Sequence, residues 1–272
     1  MSASLATARV ASLPMYYSNP AAVESLWSGI AARLRADGLV AVPLQPAWPG
    51  DFHAHWLDPR LLLSQACGFP LVLALGLKVR VVGTFHYNAP GCNGALQRSQ
   101  IVVRADDPAT ALADLRGRCV AFNATDSNSG YNSLRALVAP LVRHGRFFGS
   151  GLQTGSHIES IKAVRDGRAD IAAIDCVSLA GFVRYAPEVT QGVRVLMQSD
   201  RYPGLPLITA CDTDETTLAA LRSALAHVVR DPALAQPLEA LFITGFEPLD
   251  FADYRPCQDL YDKAMALGCP TL

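Results

Sequence analysis

Short apolar runs alternate along this chain with longer segments whose apolar residues recur at helical spacing, the pattern of strands and helices layered as α/β units. "ARVASLPMY" predicts a first strand. Asn19 and Pro20 then supply an N-cap and a first helical residue for "AAVESLWSGIAARLRAD", which Gly38 ends. "LVAVPL" predicts a second strand and "DPRLLLSQACGF" a short helix and turn, followed by the apolar runs "PLVLALG" and "VRVVGTFHYNAPG". Strands are then expected at "SQIVVRA", "RCVAFNA", "ADIAAID", "VRVLMQS" and "LPLITAC". Helices are expected at "PATALADLRG", "SGYNSLRALVAPLVR", "HIESIKAVRDG", "CVSLAGFVRYAPEV" and "DETTLAALRSALAHVVRD", with two more around Leu234–Leu241 and Asp250–Leu267. No repeat and no low-complexity linker interrupts the pattern, so two α/β halves would be joined by strands. The crossings are expected near Ser99–Arg104 and Leu196–Pro206.

Composition narrows the function classes. Half of the 272 residues are hydrophobic and 17% are charged, which excludes a disordered chain. Lys and Arg total 23 against 24 Asp and Glu, a net charge of −1 without the basic excess of a nucleic-acid binder. One small, neutral anion site remains compatible with that balance. No window approaches a membrane-spanning length of uninterrupted apolar residues. "MSASLATARVASLPMYY" has one Arg, no long apolar block and no cleavage signal, so as written the chain reads as cytoplasmic, and as periplasmic if a leader is missing. The seven cysteines form no CxxC pair and read as reduced thiols that pack as small hydrophobes.

The chemistry concentrates where predicted strands meet predicted helices, because helix starts present free backbone N–H groups. In "NATDSNSGYN", Ser127 and Ser129 offer hydroxyls and Gly130 lets backbone approach a ligand, although a plain cap and turn explains the same residues. In "GSHIES", Ser156 and Glu159 have capping-box spacing, and His157 falls in the first turn, where a neutral imidazole is favoured over a charged one. Asp175 ends a strand before a helix, either as an N-cap or as an acceptor for a protonated or amino-bearing ligand. Tyr16, Ser64 and Gln65 lie at weaker junctions of the same kind. Nucleotide-binding, zinc-protease and nucleophile-elbow motifs are missing, and no third ligand accompanies His53 and His55, an i, i+2 pair suited to one strand face. Ser127 or Ser129 with His157 and Asp175 has the residue types of a triad, whose geometry sequence does not show.

"SQACGFPLV", "NAPGCNGALQRSQIVV", "DLRGRCVAFNATDSNSGYNSLR" and "GSHIESIKAVRDGRADIAAIDCVSLA" together resemble the phosphate/phosphite/phosphonate-binding family of ABC-importer substrate-binding proteins. The resemblance runs from about Leu13 to Pro206 and rests on S-x-S-G-Y, G-S-H-x-x-S and G-x-A-D-x-A in that order. It implies a type II periplasmic-binding fold, two doubly wound α/β lobes joined by two crossing strands, with residues 1–100 plus 204–272 in one lobe and 101–203 in the other. It further implies that Ser127, Ser129, Gly130 and Tyr131 grip an oxyanion, that Ser156 and His157 approach from the same lobe, and that Asp175 accepts hydrogen bonds. Tyr16, Ser64 and Gln65 would face them from the other lobe. The implied partners are a small phosphate- or phosphonate-class anion and an importer's membrane subunit, with no cofactor, no metal and no catalysis. The alternatives are a cytoplasmic small-anion sensor and an enzyme on the same scaffold.

Overall fold

The computed structural model describes residues 8–272; residues 1–7 of the stretch read for a leader lie outside them. Two five-stranded sheets each collect helices on their faces. The first sheet contains β1 (Val10–Ser12), β2 (Leu61–Gln65), β3 (Val79–Tyr87), β11 (Leu207–Ala210) and β12 (Ile243–Glu247), in the order β1-β2-β11-β3-β12. The second contains β5 (Ser99–Arg104), β6 (Cys119–Phe122), β7 (Ser150–Gln153), β8 (Ile171–Asp175) and β9 (Val193–Gln198), in the order β7-β6-β8-β5-β9. β6 runs parallel to both β7 and β8, while β5 is antiparallel to β8 and β9.

Between the sheets lies a two-stranded ribbon of β4 (Leu96–Gln97) and β10 (Tyr202–Pro203). The chain therefore crosses just before β5 and just after β9, a few residues from the first expected position and inside the second. Ser99 ties this region together: its Oγ lies 2.8 Å from the Tyr202 hydroxyl and 2.8 Å from Ser133 Oγ.

Helix α1 (Pro20–Ala36) starts as the sequence indicates, with Asn19 Oδ1 accepting from the Ala22 N–H at 3.1 Å. Its buried face, Val23, Leu26, Trp27, Ile30 and Leu34, packs on the first sheet with Leu221 and Leu225 of α8 (Glu215–Val228). In the second lobe, α5 (His157–Arg165) and α6 (Cys176–Tyr185) cover one face of the sheet through Ile161, Val164 and Phe182. The other face is covered by α4 (Ser133–Val138) through Leu134 and Val138. The last helix, α10 (Arg255–Ala266), leans on both lobes. Cys257 packs with Leu71 and Tyr202, whereas Ala264 and Cys269 join the cluster containing Leu134.

Two local expectations fail for identifiable reasons. "LVAVPL" forms no strand: Val40 and Leu44 are exposed, Pro43 lacks an N–H, and the carbonyls of Val42 and Pro43 instead receive Arg35 and Trp27. "LLLSQ" is strand β2 rather than helix. Covered on both faces, it reads as a continuous apolar run, which periodicity does not distinguish from a buried helix. "PLVLALG" is helical, forming α3 (Gly68–Pro70) and a wider turn through Leu75, with Leu71 and Leu75 buried one turn apart and Leu73 exposed. Strands β7 and β12 also escaped the pattern, β7 because "SGLQ" is a largely exposed edge. His53 and His55 lie on the short helix α2 (Phe52–Trp56), not on a strand. They diverge there, His53 Nε2 to Asp126 at 2.7 Å and His55 Nε2 to Ser12 Oγ at 2.7 Å. Among the described residues no helix is long and apolar enough to cross a membrane.

Candidate functional site

The order β7-β6-β8 places three parallel strands side by side, so their carboxyl ends open on one edge of the second sheet. Each end carries one of the junctions singled out above. After β6, Ser127 accepts the Gly130 N–H on its hydroxyl at 3.1 Å and starts the turn Asn128–Asn132 that runs into α4. After β7, Gly155 takes a positive φ of 86°, and Ser156 caps α5 by accepting the Glu159 N–H at 3.2 Å. Glu159 itself pairs with Lys162 at 2.8 Å. After β8, Asp175 caps α6, its Oδ1 accepting the Ser178 N–H at 2.8 Å.

These ends form one wall of a cavity of about 130 Å³. Asn123, Ser127, Ser129, Ser156, His157, Asp175 and Ser178 line it from the second lobe. Pro14, Met15, Tyr16, Tyr17, Phe52, Cys67 and Leu205 line it from the first. The lobes touch at its margin, where His53 meets Asp126 and the Asn128 N–H donates to Cys67 Sγ at 3.2 Å.

Burial sets the electrostatics. Asp175 is nearly fully buried, and loss of water pushes its carboxyl up to about 6 against the lowering effect of the Ser178 and Val177 N–H groups. Burial alone pushes His157 down to about 4, so its imidazole is neutral near pH 7. His157 Nε2 lies 3.1 Å from Ser129 Oγ, while its buried Nδ1 has no partner. Asn123 Oδ1 is likewise buried and unpartnered. Two unmet polar atoms in residues lining one cavity are a costly arrangement unless a ligand or water completes it. A Cβ on Gly130 would come within 1.9 Å of Asn123 Oδ1, so glycine is required for this approach.

Of the ten residues singled out from sequence, Tyr16, Ser127, Ser129, Ser156, His157 and Asp175 line the cavity. Gly130 stands directly behind, its N–H held by Ser127. Tyr131 turns away, its ring edge-on to Phe122 and its hydroxyl receiving the Leu272 N–H. Ser64 is buried against Ser12, and Gln65 holds the Met15 N–H and the Tyr87 hydroxyl, so both support the first wall from behind. Sequence reasoning did not single out Phe52, Cys67 or Ser178, and it quoted Asn123 only as the start of a motif. Ser178 had a signal, lying three residues after a candidate N-cap. Phe52 and Cys67 had none. The three triad residue types do not form a triad: Asp175 is committed to the start of α6, and His157 Nδ1 lacks the orienting partner a general base needs.

Two sheeted lobes joined by a short ribbon around a cavity lined by hydroxyls, an imidazole and a carboxylate define a type II periplasmic-binding-protein-like molecule. Residues 82–254 match the family model described as ABC transporter, phosphonate, periplasmic substrate-binding protein, and the chain belongs to that family. The fold is similar to that of a binding-protein component of an ABC phosphonate transporter from Pseudomonas aeruginosa, at 16% identity, covering 95% of this chain and 87% of that one, with a TM-score of 0.75. It is similar also to a Prochlorococcus marinus protein solved in complex with methylphosphonate, at 15% identity, 94% and 97% coverage and a TM-score of 0.74. A Xanthomonas citri protein solved bound to ATP has a TM-score of 0.69 at 19% identity, with 95% and 96% coverage. No curated protein matches the sequence. The family is one of periplasmic solute-binding proteins serving ABC importers.

Proposed function

We propose that this protein captures a small phosphorus oxyanion, of the phosphate–phosphonate class, between its two lobes and delivers it to the membrane subunit of an ABC importer in the periplasm. The observation that carries this reading is the convergence of Ser127, Ser129, Ser156, His157 and Asp175 at three neighbouring strand ends in one cavity. Among the described residues lining that cavity none is Lys or Arg. The negative charge is therefore met by hydroxyl and imidazole donors, whose bonds to an anion are stronger than bonds between neutral groups. Asp175 repels a fully ionised ligand and accepts a hydrogen from a P–OH or an ammonium group. The neutral His157 donates without adding charge. Tyr17, Phe52 and Leu205 on the facing wall accommodate a small organic substituent.

We assign residues 8–98 plus 204–272 to one lobe and 99–203 to the other, two residues from the expected boundary because β5 pairs with β8 from Ser99 onward, with α10 strapped across both. The lobes hinge at the β4–β10 ribbon, and ligand contacts to both walls favour the closed form. A thermal-shift series with phosphate, phosphite, sulfate, methylphosphonate and 2-aminoethylphosphonate tests this, because a ligand that binds only the folded state raises the unfolding midpoint. A selective shift with a phosphorus oxyanion is expected. No shift with any of the five at millimolar concentration would overturn the reading.

A further inference from the structure

On the flank of the same cavity two thiols face each other across the lobes. Cys92 belongs to the loop between β3 and β4, on the first lobe's side of the ribbon, and Cys176 opens α6 immediately after Asp175. Their Sγ atoms are 3.4 Å apart. The loop is seated firmly on the second lobe. The Pro90 carbonyl accepts from Gln100 Nε2 at 2.8 Å, and a Cβ placed on Gly91 would lie only 3.2 Å from Cys176 Cβ. A disulfide needs the sulfurs to close by about 1.4 Å, a movement on the scale of side-chain rotation.

We propose that Cys92 and Cys176 form a reversible disulfide site that tethers the two lobes beside the ligand cavity. Family membership supplies the setting, because the periplasm is an oxidising compartment in which such bonds persist. The structure also supplies a route. Cys176 contributes to the floor of an open groove of about 510 Å³, walled by Pro90, Leu179, Val195 and Phe242, and Cys92 is only half-buried. Cys92 is the more exposed of the two and Cys176 is buried, which makes Cys92 the attacking sulfur.

The oxidant is a small disulfide, R–S–S–R. The Cys92 thiol loses its proton, and its sulfur attacks one sulfur of the oxidant, breaking the S–S bond. The leaving thiolate takes up a proton to become the first RSH. Cys176, deprotonated as it reacts, then attacks the Cys92 sulfur of the mixed disulfide and expels the second thiolate, which is protonated in turn. The protein dithiol is oxidised by two electrons, and R–S–S–R is reduced to two RSH. The five remaining thiols are differently placed: Cys67 accepts the Asn128 N–H, Cys119 is half-buried at the start of β6, Cys257 and Cys269 are buried in cores, and Cys211 is exposed.

The test incubates the full chain with oxidised glutathione and counts free thiols in denaturant. Apart from any glutathione adduct at exposed Cys211, two of the seven thiols should disappear, with a mass lower by two hydrogens and a cross-linked peptide joining residues 92 and 176, all reversed by dithiothreitol. Cys92→Ser should retain its six thiols, apart from any glutathione adduct at exposed Cys211, and should form no cross-link. Seven surviving thiols, a bridge between other cysteines, or a reaction that stops at a glutathione adduct on Cys92 would each overturn the proposal. Oxidised wild type should also release methylphosphonate more slowly than the reduced protein. That effect rests on the ligand reading. A chain that forms the 92–176 bridge but binds no methylphosphonate in either state refutes the ligand and leaves the disulfide site standing.

Discussion

The two walls of the cavity are built from opposite materials. The second-lobe wall is made of hydroxyls, an amide, an imidazole and a carboxylate at the ends of parallel strands, with Ser127, Ser156 and Asp175 also holding a helix start or turn in place. The first-lobe wall is made of Pro14, Met15, Tyr16, Tyr17, Phe52, Cys67 and Leu205, presented by loops and by the short helix α2. Donors need directional placement, and regular strand ends supply it. An apolar wall needs only shape, which irregular backbone supplies as well. Under the proposed function, the polar wall would govern whether an oxyanion head is held, and the aromatic wall what the head carries.

The largest expected effect separates the walls by pH, because the buried groups with opposed shifts, Asp175 and His157, both lie on the polar one. Asp175, raised to about 6 in the fold, imposes a cost when ionised that is relieved as pH falls from 6 toward 4. His157, lowered to about 4, contributes stability above pH 6.5 that is lost as pH falls toward 4. The two contributions are about 3 kcal/mol each and of opposite sign, so they nearly cancel. In denaturant unfolding between pH 7 and 4, Asp175→Asn should lose more stability on acidification than wild type, and His157→Asn should lose less. Parallel curves for all three proteins would show that neither group titrates as its burial implies.

A smaller effect is expected from Ser129→Ala. Removing one buried hydroxyl partner should weaken methylphosphonate binding by about 1–3 kcal/mol, read by calorimetric titration. Affinity unchanged within error would reduce Ser129 to a structural partner of His157. The smallest effect should come from Phe52→Ala, which leaves every donor in place. It is expected to weaken methylphosphonate binding by up to about 1 kcal/mol, the scale of one buried methyl group, while leaving inorganic phosphate unchanged. Equal losses for both anions would show that the aromatic wall does not distinguish the head from its substituent.

Much of the polar wall was legible beforehand because its local chemistry is short-range. Ser127, Ser156 and Asp175 each engage an N–H three residues ahead, and such caps are visible as residue types at fixed spacing. The first wall was read less well. Ser64 and Gln65 looked like contact residues but became buried supports, because their segment is a central strand and not the expected helix. Phe52 stands about 75 residues from Ser127 in the chain, and only the docking of the lobes brings both to one cavity.

By itself the sequence determined the alternation of strands and helices, the capped junctions that hold the candidate donors, and the ordered motifs of the family. Those depend on bonds within a few residues and on the burial of one face of each element. Only the tertiary structure decided that three junctions share an edge, that Tyr131 turns away while Phe52 turns in, and that Cys92 meets Cys176. Each of these follows from the strand order β7-β6-β8 or from packing across the β4–β10 ribbon. Such pairings between distant segments are chosen by the summed burial of whole faces, and no local pattern along the chain encodes them.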